Sequence, residues 1–268
     1  MNGVKSAAHG GNLMKTAVIT GASSGMGREL TIQLAARGEF DEMWLIARRA
    51  DRLEELCRQL PCKARVLALD LTDAASFDSY AAALAAEQPQ VTLLANCSGF
   101  GKFGGYADIP LADKVGMIDL NAKATVMMTE LTLPFMPRGA RIINLDSLSA
   151  FQPVPYLNVY AATKAFVLSY SRAMNAELHD RGISVTAVCP GWVKTEFFDR
   201  AEKTSTTAVT YFNHVYLPQD VIRTAVRDAY KRKAVSVHGA AIKWQVFLVK
   251  LLPHSLVMRI WLHQQKHK

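Results

Sequence analysis

The sequence predicts one α/β domain built on a doubly wound parallel sheet with helices on both faces. Short apolar runs rich in Val, Ile and Leu alternate along the chain with longer segments of helical character. This is the order expected of strands that are buried on both faces and joined by helical crossovers. No internal repeat or low-complexity linker divides the chain, so we expect a single domain.

The individual elements follow from this alternation. Each strand candidate is short and mostly continuous in hydrophobicity, which is typical of a buried strand; the candidates are residues 16–20, 43–47, 65–69, 91–95, 141–145 and 184–189. The helices predicted between and after them are residues 27–37, 51–60, 77–86, 111–133 and 156–181.

The composition is that of an ordinary globular protein. Half of the 268 residues are hydrophobic and a fifth are charged, which argues against disorder, and a chain of this length can bury a sizeable core. The four cysteines include no C-x-x-C pair, so we expect free thiols, no metal site and a cytoplasmic location. Residues 1–13 lack the apolar segment of a signal peptide, and we interpret them as a disordered leader.

The net charge of +8 is concentrated at the carboxyl end of the chain. Residues 220–268 contain ten Lys/Arg and two Asp/Glu, whereas residues 1–219 contain 21 of each kind. A solvated basic face is the simpler interpretation, and an acidic ligand or an anionic membrane surface is the alternative. We expect no nucleic-acid partner.

A glycine-rich turn, T-G-A-S-S-G-M-G, follows the first predicted strand and leads into a helix. Such a turn brings backbone N–H groups and the positive end of a helix close to a pyrophosphate. The spacing is G-x-x-x-G-x-G instead of the more widespread G-x-G-x-x-G, and glycine also serves ordinary turns. Its place after the first strand favours a Rossmann-like dinucleotide site, whose residues are Gly21, Ser23, Ser24, Gly25, Met26 and Gly27.

The ends of the next strands supply further candidate cofactor residues. Arg48 and Arg49 follow the second strand, where NAD-selective enzymes usually place an acid. A guanidinium can bind a 2′-phosphate with paired hydrogen bonds, so these arginines predict NADP(H), unless both are surface charges at a helix start. Asp70, followed by Leu71, could accept from the adenine amino group or cap a helix. Asn96 closes the fourth strand at the same carboxyl edge.

Tyr160 and Lys164 lie four residues apart on a predicted helix, so the phenol and the ammonium share a face. A phenol with a pKa near ~10 is a poor proton shuttle at neutral pH, and an adjacent cation lowers that pKa. Such a pair also occurs by chance on protein surfaces. Ser147 favours a catalytic pair over a chance pair, because it follows the fifth strand at the same sheet edge. Its hydroxyl can hold a substrate oxygen as charge develops on it.

Together these stretches resemble the classical short-chain dehydrogenase/reductase family. The motifs appear in family order over roughly residues 15–200; they are TGASSGMG at 20–27, Asp70-Leu71, NCSG at 96–99, Asn121, Ser147, YAATK at 160–164 and PGWVKT at 190–195. The chain departs from the usual fourth-strand ending at Cys97 and Ser98, which are both small. Its tail is also longer and more apolar than in the shortest members, which puts the usual four-subunit assembly through C-terminal contacts in doubt.

The resemblance implies roles for the matching residues. Tyr160 would exchange the proton, Lys164 would hold the nicotinamide ribose while lowering the pKa of Tyr160, and Ser147 would orient the carbonyl. Asn121 would anchor a water that leads from Lys164 toward solvent. Arg48 matches the 2′-phosphate position better than Arg49. The nicotinamide end would be cradled by Pro190, Val193 and Thr195.

The resemblance also implies a reaction, which is NADP(H)-dependent hydride transfer between nicotinamide and a ketone or secondary alcohol. Residues 195–218 would form the lid over the substrate, and the aromatic side chains in it either line an apolar pocket or pack the lid onto the sheet. A steroid-like, lipid-derived or aromatic substrate is expected, and a 3-oxoacyl thioester is the alternative. A non-catalytic dinucleotide-sensing protein is a third possibility, which the presence of both Tyr160 and Lys164 opposes. The lid aromatics are Phe197, Phe198, Tyr211, Phe212 and Tyr216.

We therefore divide the chain into the leader 1–13, a catalytic region 14–239 and a helical extension of the same domain at 240–268. Charged residues and a proline interrupt the extension, so it lacks the ~18 apolar residues of a membrane span. It nevertheless has one apolar helical face, comprising Trp244, Phe247, Leu248 and Leu251.

We expect protein to cover this apolar face, either the lid or a second subunit of a homodimer or homotetramer. The alternative cover is an anionic membrane surface, and the cations that would then face the headgroups are Lys243, Lys250, Arg259 and Lys266.

Overall fold

The computed structural model describes residues 14–197, 201 and 208–266. They form a sheet of seven parallel strands with helices on both faces, so the predicted fold class is confirmed. The predicted leader lies outside the described residues, and the division of the chain at residues 14, 239 and 240 stays a prediction.

Seven strands and nine α-helices are described. The strands are β1 (Lys15–Thr20), β2 (Glu42–Ala47), β3 (Lys63–Ala68), β4 (Gln90–Asn96), β5 (Arg141–Leu145), β6 (Ser184–Val188) and β7 (Val235–Ser236). The helices are α1 (Gly25–Ala35), α2 (Ala50–Cys57), α3 (Ala74–Glu87), α4 (Leu111–Ile118), α5 (Ala124–Thr132), α6 (Asn158–Glu177), α7 (Pro218–Tyr230), α8 (Ala240–Leu251) and α9 (His254–Gln264).

The sheet has the strand order β3-β2-β1-β4-β5-β6-β7. Successive side chains of each inner strand enter opposite cores: Ile19 packs with α1, α2 and α7, whereas Val18 packs with α3, α5 and α6. Both faces are therefore covered, which explains the continuous apolar runs in the sequence. From β1 the chain adds β2 and β3 on one side of the sheet, and from β4 onward it adds strands on the other side. Ligands bind in such sheets at the switch point between β1 and β4.

Two features of the fold are absent from the sequence pattern. β7 has only two residues, too few to show a periodicity, and it is held by pairing with β6 at Ala187 and Val188. The predicted helix 111–133 is divided by a π-helical segment, Asp119–Lys123. We expected a continuous helix because the change from α to π hydrogen bonding leaves no trace in hydrophobicity.

The two C-terminal helices pack against the end of the sheet beyond β6. α8 inserts Ile242 and Val246 into a cluster that includes Cys189 and Val237, while α9 buries Val257. All four cysteines of the chain are free thiols. Among the described residues, no helix is both long and apolar enough to cross a membrane.

The packing of α8 can be tested through Ile242, which is 1% exposed. Ile242→Ala should lower the free energy of unfolding by about 2–5 kcal/mol, because it removes buried methylene groups and leaves a cavity. The adjacent exposed Lys243→Ala is the matched control and should change stability by less than ~0.5 kcal/mol. Urea unfolding measures both. Equal midpoints for the two variants would show that α8 is not part of the cooperative folding unit.

Candidate active site

The turns that follow β1, β4 and β5 stand side by side, because these strands are parallel neighbours in the sheet. They border two connected spaces. The first, which we call the groove, has a volume of about 370 Å³ and lies over the glycine-rich turn. The second, which we call the cavity, has a volume of about 420 Å³ and reaches Ser147 and Tyr160. Met26, Thr195 and Phe197 line both spaces.

The groove depends on a close approach between the turns after β1 and β4. Gly21 has φ +68°, and a Cβ on it would stand 2.8 Å from the backbone of Cys97 and Ser98, so only glycine fits. Next to it, Thr20 Oγ1 accepts hydrogen bonds from Cys97 N (3.0 Å) and Ser98 N (3.1 Å). One hydroxyl therefore holds the two turns together.

The groove brings together most of the predicted cofactor residues. Helix α1 begins at Gly25, and within the described part of the chain its N-cap residue, Ser24, makes no side-chain capping hydrogen bond. The first N–H groups of the helix thus remain available to an anion. The predicted cofactor residues that line the groove are Gly21, Ser23, Ser24, Gly25, Met26, Gly27, Arg48, Arg49, Asp70, Leu71 and Thr195.

Arg48 and Asp70 face each other at the end of the groove near β2 and β3, with 3.7 Å between Arg48 Nη1 and Asp70 Oδ2. Asp70 Oδ1 accepts from Thr72 N (3.0 Å) and Thr72 Oγ1 (2.8 Å). Burial raises the pKa of Asp70, but the hydrogen bonds from Thr72 and the charge of Arg48 outweigh it and hold that pKa below its usual value. Asp70 is thus an anion with one oxygen tied to its own turn.

Arg49 spans the groove from the glycine-rich turn to the lid. It donates to Ser23 Oγ (3.3 Å) and to Glu196 Oε2 (3.2 Å), while Arg52 donates to Glu196 Oε1 (2.6 Å). Burial raises the pKa of Glu196, but the hydrogen bonds from Arg52 and Arg49 outweigh it and lower that pKa. Arg49 is therefore already neutralised by an acid, whereas within the described residues Arg48 has one ion pair, the 3.7 Å contact with Asp70.

The structure places the Asn96 side chain away from the groove lining. It is 4% exposed, and its Nδ2 donates to Asn144 Oδ1 (2.9 Å) and Thr129 Oγ1 (3.2 Å). The residues that follow it, 97–99, line the groove instead. Asn96 thus ties β4 to β5 and α5, and the backbone after it forms the groove wall.

Ser147 and Tyr160 both line the cavity, and the Ser147 side chain acts to lower the pKa of the Tyr160 phenol. Ser147 Oγ also accepts from Ser149 N (3.1 Å) and Ser149 Oγ (3.0 Å). Because Ser149 occupies the acceptor side of this oxygen, the hydroxyl proton of Ser147 is available for donation.

The pKa of Tyr160 is raised, not lowered as the sequence led us to expect. Burial raises it, and the hydrogen bond with Ser147 opposes that effect. Lys164 Nζ lies 5.8 Å from the Tyr160 ring centroid and donates to Leu145 O (2.7 Å). Desolvation of the phenolate thus dominates, and Tyr160 is a neutral phenol at physiological pH.

A buried acid, Asp146, lies close enough to Lys164 for the charge of each to act on the pKa of the other. Lys164 is 5% and Asp146 2% exposed. Asp146 Oδ2 accepts from Cys189 Sγ at 3.7 Å, and Oδ1 has no hydrogen-bond partner among the described residues. Burial raises the pKa of Asp146 to about 8, while Lys164 acts in the opposite direction. Burial lowers the pKa of Lys164, and the charge of Asp146 opposes it.

Asn121 lies in the π-helical segment and is 1% exposed. Its Nδ2 donates to Thr163 Oγ1 (3.0 Å) and Phe100 O (2.9 Å), and its Oδ1 accepts from Phe100 N (3.0 Å). A Cβ on Gly99 would stand 3.0 Å from Asn121 Oδ1 and 3.6 Å from Lys164 Nζ. Asn121 and Lys164 therefore approach the same place, which a glycine keeps open.

The segment predicted to cradle the nicotinamide end lies on the cavity wall. Pro190, Val193 and Thr195 line it together with Tyr160. Leu148 N donates to Pro190 O (2.8 Å), which fixes this segment to the turn that begins at Ser147. The segment after β6 and the segment after β5 are thus held as one unit.

Of the predicted lid aromatics, some line the pocket and others pack against neighbouring side chains. Phe197 and Tyr211 line the cavity. Phe212 and Tyr216 pack edge-on against neighbouring rings, those of Trp192 and His238. The fifth, Phe198, lies outside the described residues.

The C-terminal helices complete the cavity. Trp244 and Leu248 of α8 and Trp261 of α9 line it opposite the sheet edge. Beyond α9, Gln265 is 2% exposed, and its Oε1 accepts from the lid backbone at Thr210 N (2.8 Å) and Tyr211 N (3.0 Å). The C-terminal segment is therefore both a wall of the cavity and an anchor of the lid.

Sequence reasoning missed four residues of this site. Asp146 adjoins Ser147 and could have been noticed as an acid at a strand end. Thr20 precedes the glycine turn but looked like an ordinary strand residue. Glu196 and Gln265 gave no signal, because only the folded chain brings them to Arg49 and Tyr211.

Comparison with known proteins gives consistent matches. The chain matches the family model described as short chain dehydrogenase over residues 15–206. Sulfoacetaldehyde reductase 2 of Chromohalobacter salexigens is 38% identical over 189 residues, covering 67% of this chain and 73% of that protein. The very-long-chain 3-oxoacyl-CoA reductase of Bos taurus is 33% identical over 190 residues, covering 67% of this chain and 60% of that protein.

A solved structure has the same fold. It is a short-chain dehydrogenase from Sphingobium yanoikuyae in complex with NADPH, with a TM-score of 0.74 and 27% sequence identity, and the match covers 87% of this chain and 92% of that chain.

The joint between the two turns can be tested with Thr20→Val. The change keeps the side-chain shape but leaves the N–H groups of Cys97 and Ser98 without their acceptor, so stability should fall by about 2–4 kcal/mol. The matched control is Thr92→Val, since Thr92 Oγ1 makes a single long hydrogen bond of 3.5 Å to Thr16 O. Urea unfolding compares the two variants, and an equal loss in both would contradict the special role of Thr20.

Proposed function

The chain belongs to the short-chain dehydrogenase family, and we propose that it is an NADP(H)-dependent oxidoreductase that interconverts a ketone and a secondary alcohol. The observation that carries this proposal is that Ser147 and Tyr160 line one cavity, which shares Met26, Thr195 and Phe197 with the groove. A proton donor and an oxygen-binding hydroxyl would then lie beside a site that could hold a dinucleotide.

The residues of the chain divide the proposed chemistry among them. Bound NADP(H) would supply or accept the hydride. The Ser147 hydroxyl would donate to the substrate oxygen and orient the carbonyl, and Tyr160 would give that oxygen its proton. Lys164 would bind the nicotinamide ribose, and Asn121 would anchor a water that leads from Lys164 toward solvent.

The protonation state of Tyr160 in this structure is the one that carbonyl reduction requires. Burial keeps the phenol neutral, and a neutral phenol is ready to donate a proton to a carbonyl oxygen. Alcohol oxidation uses the same residue as a proton acceptor, so the site would serve both directions.

The proposed preference for NADP(H) rests on the charges beside β2. Arg48 and Arg49 both line the groove, and no acid stands directly after β2. Since Glu196 and Ser23 already engage Arg49, Arg48 is the better candidate for the 2′-phosphate. The N–H groups at the start of α1 would bind the pyrophosphate.

The proposed substrate is an apolar ketone of steroid-like, lipid-derived or aromatic character. Leu157, Trp192 and Phe197 line the cavity near Tyr160, and residues of α8 and α9 line it farther out. A volume of about 420 Å³ lies in the range of small-molecule pockets.

A 3-oxoacyl thioester is the second candidate substrate, favoured by exposed cations on the helices that form the cavity wall. Lys243 and Arg259 lie on α8 and α9 without acidic neighbours in sequence, so they could meet the phosphates of a thioester carrier. Assays with NADPH and either apolar ketones and dicarbonyls or 3-oxoacyl thioesters separate the candidates. No turnover with any of them would leave the dinucleotide-sensing alternative.

We further propose that the protein is cytoplasmic and forms a homodimer or homotetramer. Sedimentation velocity of the purified full chain measures the assembly directly, and a monomer at micromolar concentration would contradict it.

Tyr160→Phe tests the proton donor. The ring remains but the transferable proton is lost, so turnover should fall by about 10²–10⁴, while NADPH binding changes little. Tyr170→Phe on the same helix is the control and should keep its activity. If Tyr160→Phe retained more than half of the activity, another group would have to be the donor.

Arg48→Asp tests the cofactor preference. An acid at this position should repel the 2′-phosphate and remove its ionic contact, so the ratio of kcat/KM for NADPH to that for NADH should fall at least ~10-fold. Arg58→Asp makes the same charge change at the end of α2, outside the groove lining, and should leave the ratio unaltered. An unchanged ratio in Arg48→Asp would move the 2′-phosphate site elsewhere.

A further inference from the structure

The C-terminal helices leave a continuous apolar surface uncovered. Trp244 is 62% and Leu251 66% exposed, and the rings of Trp244 and Phe247 stack at 5.3 Å. We call this surface the C-terminal apolar face; it comprises Trp244, Phe247, Leu248 and Leu251 of α8 with Leu256 and Ile260 of α9.

The helix α8 has two apolar sides, one buried and one exposed. Ile242, Val246 and Val249 form the side that packs against the protein core. The helix is therefore held in place without any contact made by the C-terminal apolar face. Neither the sheet nor the described part of the lid covers that face. Among the described residues nothing covers it, and exposed apolar patches of this kind are uncommon on soluble monomers, so we look for a cover.

The C-terminal apolar face is also the rim of the cavity. Trp244, Leu248 and Ile260 belong to the exposed face and also line the cavity that reaches Tyr160. Whatever covers the face therefore lies against the route that leads to the active site.

The charges around this face are of one sign. Residues 229–268 contain no Asp or Glu, and within the described residues no carboxylate pairs with the exposed cations of α8, α9 and the residue after Gln265. Lys250 Nζ lies over the Phe151 ring, 5.3 Å from its centroid. The cations are Lys243, Lys250, Arg259 and Lys266.

This charge pattern disfavours a second copy of the chain as the cover. In a two-fold contact each face meets its own copy, so lysines and arginines would approach one another with no acid in either segment to neutralise them. An anionic lipid surface offers the opposite charge, and Trp, Phe and Leu insert favourably at the boundary between headgroups and acyl chains. The charge pattern therefore favours the membrane alternative over the protein cover that the sequence led us to expect.

We propose that the C-terminal apolar face docks on an anionic membrane surface, so that the cavity between α8 and α9 opens toward the bilayer and receives an apolar ketone dissolved in it. The choice of substrate source rests on the function proposed above, whereas the docking itself does not. Phe247 and Leu251 would insert below the headgroups, and Lys243 and Arg259 would remain at headgroup level.

Co-sedimentation of the full chain with vesicles tests the docking without any turnover. We expect binding to vesicles of phosphatidylcholine mixed with phosphatidylglycerol at physiological salt, weaker binding at high salt and little binding to phosphatidylcholine alone. Failure to bind the anionic vesicles would overturn the proposal.

Two double variants separate insertion from charge. Phe247→Gln with Leu251→Gln changes exposed residues outside the cavity lining and should abolish vesicle binding while leaving reduction of a water-soluble ketone intact. Lys243→Gln with Arg259→Gln should weaken vesicle binding by on the order of 25-fold, since each cation near an anionic surface contributes about fivefold. Leu111→Gln with Val115→Gln is the matched control, because these residues are exposed on α4, and it should bind like the unmodified chain.

The remaining outcomes are equally decisive. If Phe247→Gln with Leu251→Gln turns an oligomer into monomers in sedimentation velocity, a second copy covers the face and membrane docking is wrong. If that variant still binds vesicles like the unmodified chain, the face is not the docking surface. If the chain binds vesicles as expected but reduces no ketone, the docking stands and the proposed function fails.

Discussion

The close contact between the turns after β1 and β4 is the constraint on which the rest of the site depends. Thr20 Oγ1 accepts two backbone N–H groups there, and Gly21 lies against the same backbone with no room for a Cβ. This contact sets the width of the groove at the switch point of the sheet, where α1 also begins. The glycine-rich turn is thus fixed by its neighbour as much as by its own sequence.

Burial governs the chemistry beside this groove. Tyr160, Lys164 and Asp146 are all withdrawn from water, and in each of them desolvation is the largest influence on the pKa. The phenol stays protonated for that reason. Lys164 keeps its hydrogen bond to the Leu145 carbonyl and has Asp146 as a compensating partner nearby. The charge of the buried Asp146 acts on the pKa values of both Tyr160 and Lys164 and so shapes the electrostatics of the site.

The C-terminal helices link the fold to the surroundings of the molecule. One side of α8 completes the core through Ile242, and the helices together turn an open sheet edge into a cavity. Gln265 then holds the lid backbone at Thr210 and Tyr211. The same segment shapes the cavity, anchors the lid and presents an apolar, basic surface. The C-terminal helices therefore connect substrate access to the cavity with any surface to which the protein docks.

The sequence by itself determined the fold class, the family and the positions of Tyr160, Lys164 and Ser147, because apolar periodicity and motif spacing are local properties of a chain. It did not reveal the π-helical turn at Asn121, because π hydrogen bonding leaves no trace in hydrophobicity. It did not reveal the inward role of Asn96 either, since that role depends on hydrogen bonds to Thr129 and Asn144, which are distant in sequence. It also misjudged the pKa of Tyr160. Spacing showed a cation four residues away, but only the tertiary structure shows how deeply the phenol is buried. Desolvation raises the pKa of Tyr160 although the Lys164 ammonium, which donates to Leu145 O, lies 5.8 Å from its ring centroid.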